Sequence, residues 1–256
     1  MILAYFIIIL GTLLAALTLL KPTFFWGHAT TEALKRLLEE KGATIFLLLV
    51  SVALLAIGLH SITRIRTERE LEEIVAAYKN GKTENAEERL IRLTSSHPHY
   101  YLAWTTLGNI YLDNDNSKDA IACFNNGIKA NKDGYESYSG LGRAYAQRRH
   151  FTKAKEEYLK ANALMPNEWS VLANLAAVYN ELGDVKKAVE YGEKALLLNP
   201  DNAALCANLS IYYHKDKQFD KRDQLFEKAE DLDYEDMESL NDAYEVSNDS
   251  LKRVKL

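Results

Sequence analysis

The chain has 256 residues, 48% of them hydrophobic and 26% charged, with a formal net charge of −5. That acidic balance excludes nucleic acid as the main partner: neutralising phosphates needs a concentrated Lys/Arg surface, and no basic stripe with interleaved aromatics occurs. The two cysteines, Cys123 and Cys206, lack metal or redox spacing and exclude a disulfide framework, so the fold must hold by packing.

Residues 1–20 contain no charged side chain, and residues 43–63 contain none apart from a neutral His60. Each run is long enough, at about 1.5 Å per residue, to cross a hydrocarbon layer of about 30 Å. Both are apolar all round, whereas a soluble surface helix keeps a polar stripe. Two transmembrane helices are therefore expected, and the absence of a basic start and of a small-x-small cleavage site argues against a cleaved leader for the first.

The connector, residues 21–42, opens with Phe24, Phe25 and Trp26, aromatics suited to a headgroup boundary. A short interfacial helix is expected behind them, capped by Thr30 or Thr31, with Leu34, Leu37 and Leu38 on one face and Gly42 ending it. Lys21, Lys35, Arg36 and Lys41 favour a cytoplasmic connector, which would put residues 64–256 outside the cytoplasm; Arg64, Arg66 and Arg69 pull the other way. Because the first helix usually dominates, the extracytoplasmic placement is preferred, in a bacterial inner (cell) membrane.

From residue 64 the chain turns polar and helical. The segments Trp104 to Tyr111, Tyr138 to Tyr145, Leu172 to Tyr179 and Cys206 to Tyr213 align without a gap at steps of 34 residues. A fixed period of this length marks stacked helix hairpins, each burying its apolar face only against its neighbours.

The pattern resembles the tetratricopeptide repeat (TPR) family. Trp104, Leu107, Gly108, Tyr111, Ala120 and Phe124 meet it in one unit, and Tyr138, Leu141, Gly142, Tyr145, Ala154, Tyr158, Ala161 and Pro166 in the next. Leu175, Ala176, Tyr179, Ala188, Ala195 and Pro200 follow; the fourth keeps Leu209, Ser210, Tyr213, Phe226 and Ala229, with Arg222 replacing the small alanine. An earlier, degenerate unit is carried by Gly81, Ala86, Leu90 and Pro98, with Glu70 and Glu73 where Trp and Leu belong. The resemblance implies an all-α solenoid with units at about 67–100, 101–134, 135–168, 169–202 and 203–236, a capping helix at 236–246 and a tail at 247–256.

Gly108, Gly142, Ala176 and Ser210 occupy one register, opposite Ala120, Ala154 and Ala188. Helices whose axes approach to about 8 Å leave no room for a large side chain, so these small residues read as a crossing point. Gly140 falls in a different row, with Thr106, Asn174 and Asn208, and packing of this kind does not account for it; it reads instead as a notch in the groove.

In the family, the first helix of each unit lines the inner, concave surface. The resemblance places Asn109, Arg143, Asn174, Asn180, Asn208, His214 and Lys215 there, the amides of Asn174 and Asn208 forming a ladder able to bond an extended peptide. The family's carboxylate clamp is not reproduced: only Asn109 and Arg143 suit it, and Thr105 stands where a lysine is wanted. No nucleophile with a base, glycine-rich phosphate loop or metal-binding motif occurs, and His97 and His99 lack a third ligand. The expectation is a non-enzymatic protein without cofactor or metal: a membrane-tethered scaffold that binds a protein or peptide partner in its groove and the lipid bilayer through residues 1–63. The order of span, loop, span and repeats is also similar in layout to the TPR subunit of bacterial cytochrome c maturation, which implies an assembly chaperone as the alternative.

The Lys252, Arg253 and Lys255 run near the end of the chain reads as solvated.

Overall fold

The structure, a computed structural model, describes residues 2–20, 29–81 and 85–244, with the side chains of residues 2, 4, 17–20 and 29–44 left aside. The aromatics at 24–26 and the basic run at 252–255 lie outside the described residues. The chain divides into two compact units, Met1–Ala86 and Glu87–Leu256.

The first unit contains α1 (Ile2–Leu20) and α2 (Ala29–Lys79). They pack where α1 has no side chain: a Cβ on Gly11 would stand 3.2 Å from the Leu54 Cβ and from the Ser51 carbonyl oxygen. Ser51 itself is buried and returns its hydroxyl to the Leu47 carbonyl at 2.7 Å, as a polar group in an apolar helix must. The outer faces are apolar and open, with Leu3, Phe6, Ile9, Leu13, Ile45, Leu49, Val52, Ile57 and Leu59 all exposed.

Two expectations change here. The short interfacial helix is not a separate element: α2 begins at Ala29, so Thr30 and Thr31 lie inside it rather than before it, and it runs through Gly42 without a stop. One glycine costs a helix only about 1 kcal/mol, and good helix formers on both sides carry it across. Second, among the described residues one segment, Ile45–Lys79, is long and apolar enough to cross a membrane, and the described side chains of α1 give a shorter apolar stretch, Tyr5–Ala16.

The second unit opens with α3 (Ala86–Ser96) and continues as four hairpins: α4 (Tyr101–Asp113) with α5 (Ser117–Ala130), α6 (Tyr135–Gln147) with α7 (Phe151–Leu164), α8 (Trp169–Glu181) with α9 (Val185–Leu198), and α10 (Ala203–Lys215) with α11 (Phe219–Asp231). A last helix, α12, covers residues 237–244. Successive helices from α4 to α11 pack on one another, and the first helices also touch in the order α4–α6–α8–α10. Leu107, Leu141, Leu175 and Leu209 are all buried, one per layer, each contributing about 1.5–3 kcal/mol by leaving water. Gly108, Gly142, Ala176 and Ser210 are buried with them. Tyr179 and Tyr213 are buried too, while Tyr111 and Tyr145 remain half-buried.

The hairpin turns repeat as faithfully as the cores. Gly81, Asp115, Arg149, Gly183 and Lys217 stand 34 residues apart, and all have positive φ, between 58° and 79°. In four of these turns the next residue donates back across the bend, Asn116, His150, Asp184 and Gln218 N–H to the carbonyls of Tyr111, Tyr145, Tyr179 and Tyr213 at 2.7–2.9 Å. This is the Schellman closure of a helix C-terminus, which satisfies a carbonyl that would otherwise be orphaned. Asn116 and Asp184 then cap the following helix, accepting from the N–H of Asp119 and Lys187.

Gly140 also has a packing reason after all. Phe124 is fully buried, and a Cβ on Gly140 would stand 2.2 Å from its ring, against 2.7 Å for Gly108 on the other side. One aromatic ring is thus held between two glycines from successive first helices, and Gly140 is no notch in an open surface.

Candidate binding groove

The first helices present one polar position after another along their shared face, and the structure links them across repeats. Arg143 donates from Nη2 to Asn109 Oδ1 at 3.1 Å, and its guanidinium lies 3.9 Å from the Asp113 carboxylate. Gln147 spans the same step, donating to Asp115 Oδ1 at 2.8 Å and accepting from the Ser117 hydroxyl at 2.9 Å. Farther along, Lys215 donates to Asn180 Oδ1 at 2.8 Å.

Between α4, α6 and α8 this face sinks into a depression of about 470 Å³, lined by Asp113, Arg143, Gln147, Tyr158, Asn174 and Val178 among others. Its floor is the ring of Tyr158, 1% exposed. Burial pushes the Tyr158 phenol well above its ordinary value, with the nearby Arg143 guanidinium opposing, so the hydroxyl stays protonated and can donate.

Of the residues expected to line a groove, Arg143 and Asn174 both line this depression, Asn109 is bound to Arg143 beside it, and Asn180 and Lys215 form a second pair. Asn174 is half-buried while Asn208 is exposed, so the two amides present themselves differently. His214 does not line the groove. It is 1% exposed, stacked on Tyr244 at 5.0 Å and edge-on to Phe219 at 5.7 Å, with Nδ1 3.2 Å from Arg222 Nη1. The residue that breaks the alanine pattern, Arg222, is thus part of the terminal layer, with its guanidinium over both Phe219 and Tyr244. Tyr244 closes that layer by meeting the Ser210 hydroxyl at 2.7 Å.

Sequence reasoning missed Asp113, Gln147 and Tyr158 as groove residues. The available signal was at Tyr158: Phe124 and Phe226 hold the same register, so its hydroxyl is not needed to fill a layer. Also missed was a row of ammonium groups over tyrosine rings, Lys153 on Tyr145, Lys187 on Tyr179 and Lys221 on Tyr213, at 5.5, 5.0 and 4.9 Å. Burial raises the Cys123 thiol to about 12 and the Cys206 thiol as well, leaving neither a nucleophile at neutral pH. His97 shares a hydrogen bond with the Ser96 hydroxyl, and among the described residues no cluster of three or more His, Cys, Asp or Glu is placed to hold a metal.

The comparison with known families decides the repeat. A tetratricopeptide repeat model matches residues 71–131 and 105–161, and a second one matches residues 170–202. The chain carries tetratricopeptide repeats. Superkiller protein 3 of Schizosaccharomyces pombe is 27% identical over 122 residues, 48% of this chain but 8% of that protein, so the chain spans a small part of its length. Among solved structures, PilF of Pseudomonas aeruginosa superposes with a TM-score of 0.61 at 17% identity, covering 73% of this chain and 91% of that one. YrrB, described as a TPR protein with an unusual peptide-binding site, gives a TM-score of 0.53 at 15% identity over 64% of this chain and 84% of its own. These likenesses are of fold. The TPR solenoid makes the second unit an interaction scaffold by type, and such proteins are in general not catalysts.

Proposed function

We propose that this protein is a membrane-anchored scaffold: α1 and α2 hold it in a bilayer, and the first-helix face of the repeats binds an extended segment of a partner and recruits it to a membrane complex. The observation that carries the binding half is the depression between α4, α6 and α8, where amide, guanidinium and hydroxyl groups converge beside apolar Ala146, Ala177 and Val178. An extended segment needs both kinds of contact, hydrogen bonds for its backbone and apolar shelves for its side chains.

The anchor rests on the exposed apolar faces of α1 and α2, which a bilayer would cover. Anchoring raises the partner's effective concentration at the surface without any new contact. Lys21, Lys35, Arg36 and Lys41 keep the connector in the cytoplasm of a bacterial cell and the repeats on the other side. Protease added to intact cells would then cut at the exposed Arg148 and Arg149; protection of those sites places the repeats inside. For binding, proximity labelling from the full chain is compared with an Arg143→Ala, Asn174→Ala variant. Loss of specific proteins from the labelled set is expected, and an unchanged set rejects the groove.

A further inference from the structure

Tyr158 is the one residue of the depression whose chemistry exceeds its packing duty. Its ring is 99% covered, yet among the described residues its hydroxyl has no hydrogen-bond partner, and it faces the depression that Arg143 and Asn174 also line. Buried tyrosine hydroxyls normally find one. In the same register one repeat earlier, Phe124 fills its layer completely without a hydroxyl. The donors around the depression divide into used and available. The Gln147 amide is engaged by Asp115 and by the Leu112 carbonyl. Asn109 takes one N–H of Arg143, which leaves the remainder of a five-donor fork, and Asp113 at 3.9 Å forms an ion pair with it but no direct hydrogen bond.

Resting on the groove reading above, we propose that this depression is a pocket for one acidic side chain within the bound segment. Its carboxylate accepts from the Tyr158 hydroxyl, the Asn174 amide and the Arg143 guanidinium. Three donors of which one is cationic match a two-oxygen anion better than a backbone carbonyl, which needs one donor. The polar face continues on both sides, to Asn109 in one direction and to Asn180 with Lys215 in the other. The segment therefore runs past the pocket, and the carboxylate belongs to an internal Asp or Glu rather than to a chain terminus.

The test uses the full chain in dodecyl maltoside and a displayed library of random dodecapeptides; selected sequences are resynthesised with amidated ends and measured by fluorescence anisotropy. Selected sequences are expected to share Asp or Glu at one fixed position. Tyr158→Phe should weaken such a peptide about tenfold, the size of one charge-assisted hydrogen bond, with no loss of thermal stability because phenylalanine fits this layer. Replacing the peptide's acid by its amide should abolish the difference between the two proteins, and Asp113→Asn should tighten the acidic peptide several-fold by removing a competitor for Arg143. Groove-binding peptides without a fixed acidic position, equal affinity for wild type and Tyr158→Phe, or a requirement for a free C-terminal carboxylate overturns the pocket and leaves the groove standing. Failure of every peptide to bind, or binding unaffected by Arg143→Ala, Asn174→Ala, overturns the groove and the pocket together.

Discussion

Two successive layers of the array use the same register to opposite ends. Between α4 and α6 the aromatic ring is Phe124, and Gly140 lets the next first helix close directly over it. Between α6 and α8 the ring is Tyr158, and Asn174 stands where Gly140 stood, bringing a Cβ and an amide. The first layer is sealed; the second opens into the depression, with the phenol at its floor. A single choice, glycine or asparagine, thus decides whether a layer serves packing or recognition, while the leucine beneath stays buried in both.

The largest way to break that comparison is Phe124→Ala, which empties the sealed layer and should cost about 3–5 kcal/mol in a denaturant melt followed by circular dichroism. Gly140→Ala is next. Its Cβ would meet a fully buried ring at 2.2 Å; an overpacking cost of about 1–3 kcal/mol outweighs a helix-propensity gain of about 1 kcal/mol. A net loss of up to about 2 kcal/mol is expected, and a gain in stability would show that the ring has room. Lys217→Gly probes a turn outside both layers: a lysine at φ 63° is strained, so glycine should stabilise by about 1 kcal/mol in the same melt. Gly192→Ala sharpens the contrast in the layer where glycine itself stands in the register of Phe124 and Tyr158. There the nearest atom is the terminal Leu209 Cδ1 at 2.9 Å, a flexible end that can turn aside, and a rise of a few tenths of a kcal/mol is expected.

The smallest effect concerns acid. The Tyr213 hydroxyl, and after it Lys221, hold the Glu193 carboxyl below its ordinary value of 4.5. A carboxyl lowered in the folded state stabilises above its unfolded value and loses that contribution as the pH falls below it. Tyr213→Phe should therefore lower stability slightly in the neutral range and flatten the acid limb of a stability–pH curve below about pH 4.5, so that variant and wild type converge at low pH.

The repeat was legible because it is written in side chains that recur. Leu107, Leu141, Leu175 and Leu209 announce the layers, and the small residues beside them announce the crossings. Gly140 was misread because its partner lies elsewhere in the pattern: Phe124 belongs to the preceding second helix, 16 residues back, and a comparison at steps of 34 never sets the two side by side. The turns were invisible for another reason. Asp115, Arg149, Gly183 and Lys217 share a backbone conformation but no side-chain chemistry, so the bend is imposed by closure of the hairpin and not by residue preference. His214 shares its row with Leu112, Ala146 and Asn180, a mixture that does not reveal burial; Phe219 and Tyr244 supply the cover. Gly42 shows the converse error, a local stop signal overruled by the helix formers around it.

The unbroken course of α2 carries a mechanical consequence. At about 1.5 Å per residue its 51 residues make a rod of about 76 Å, and nothing along it absorbs a change of phase. One residue inserted between Ser61 and Thr67 would swing the buried Leu71 and Ile74 through about 100° around the axis, whereas seven would return them nearly to their starting azimuth. Angular bookkeeping, rather than tether length, is the quantity this helix conserves.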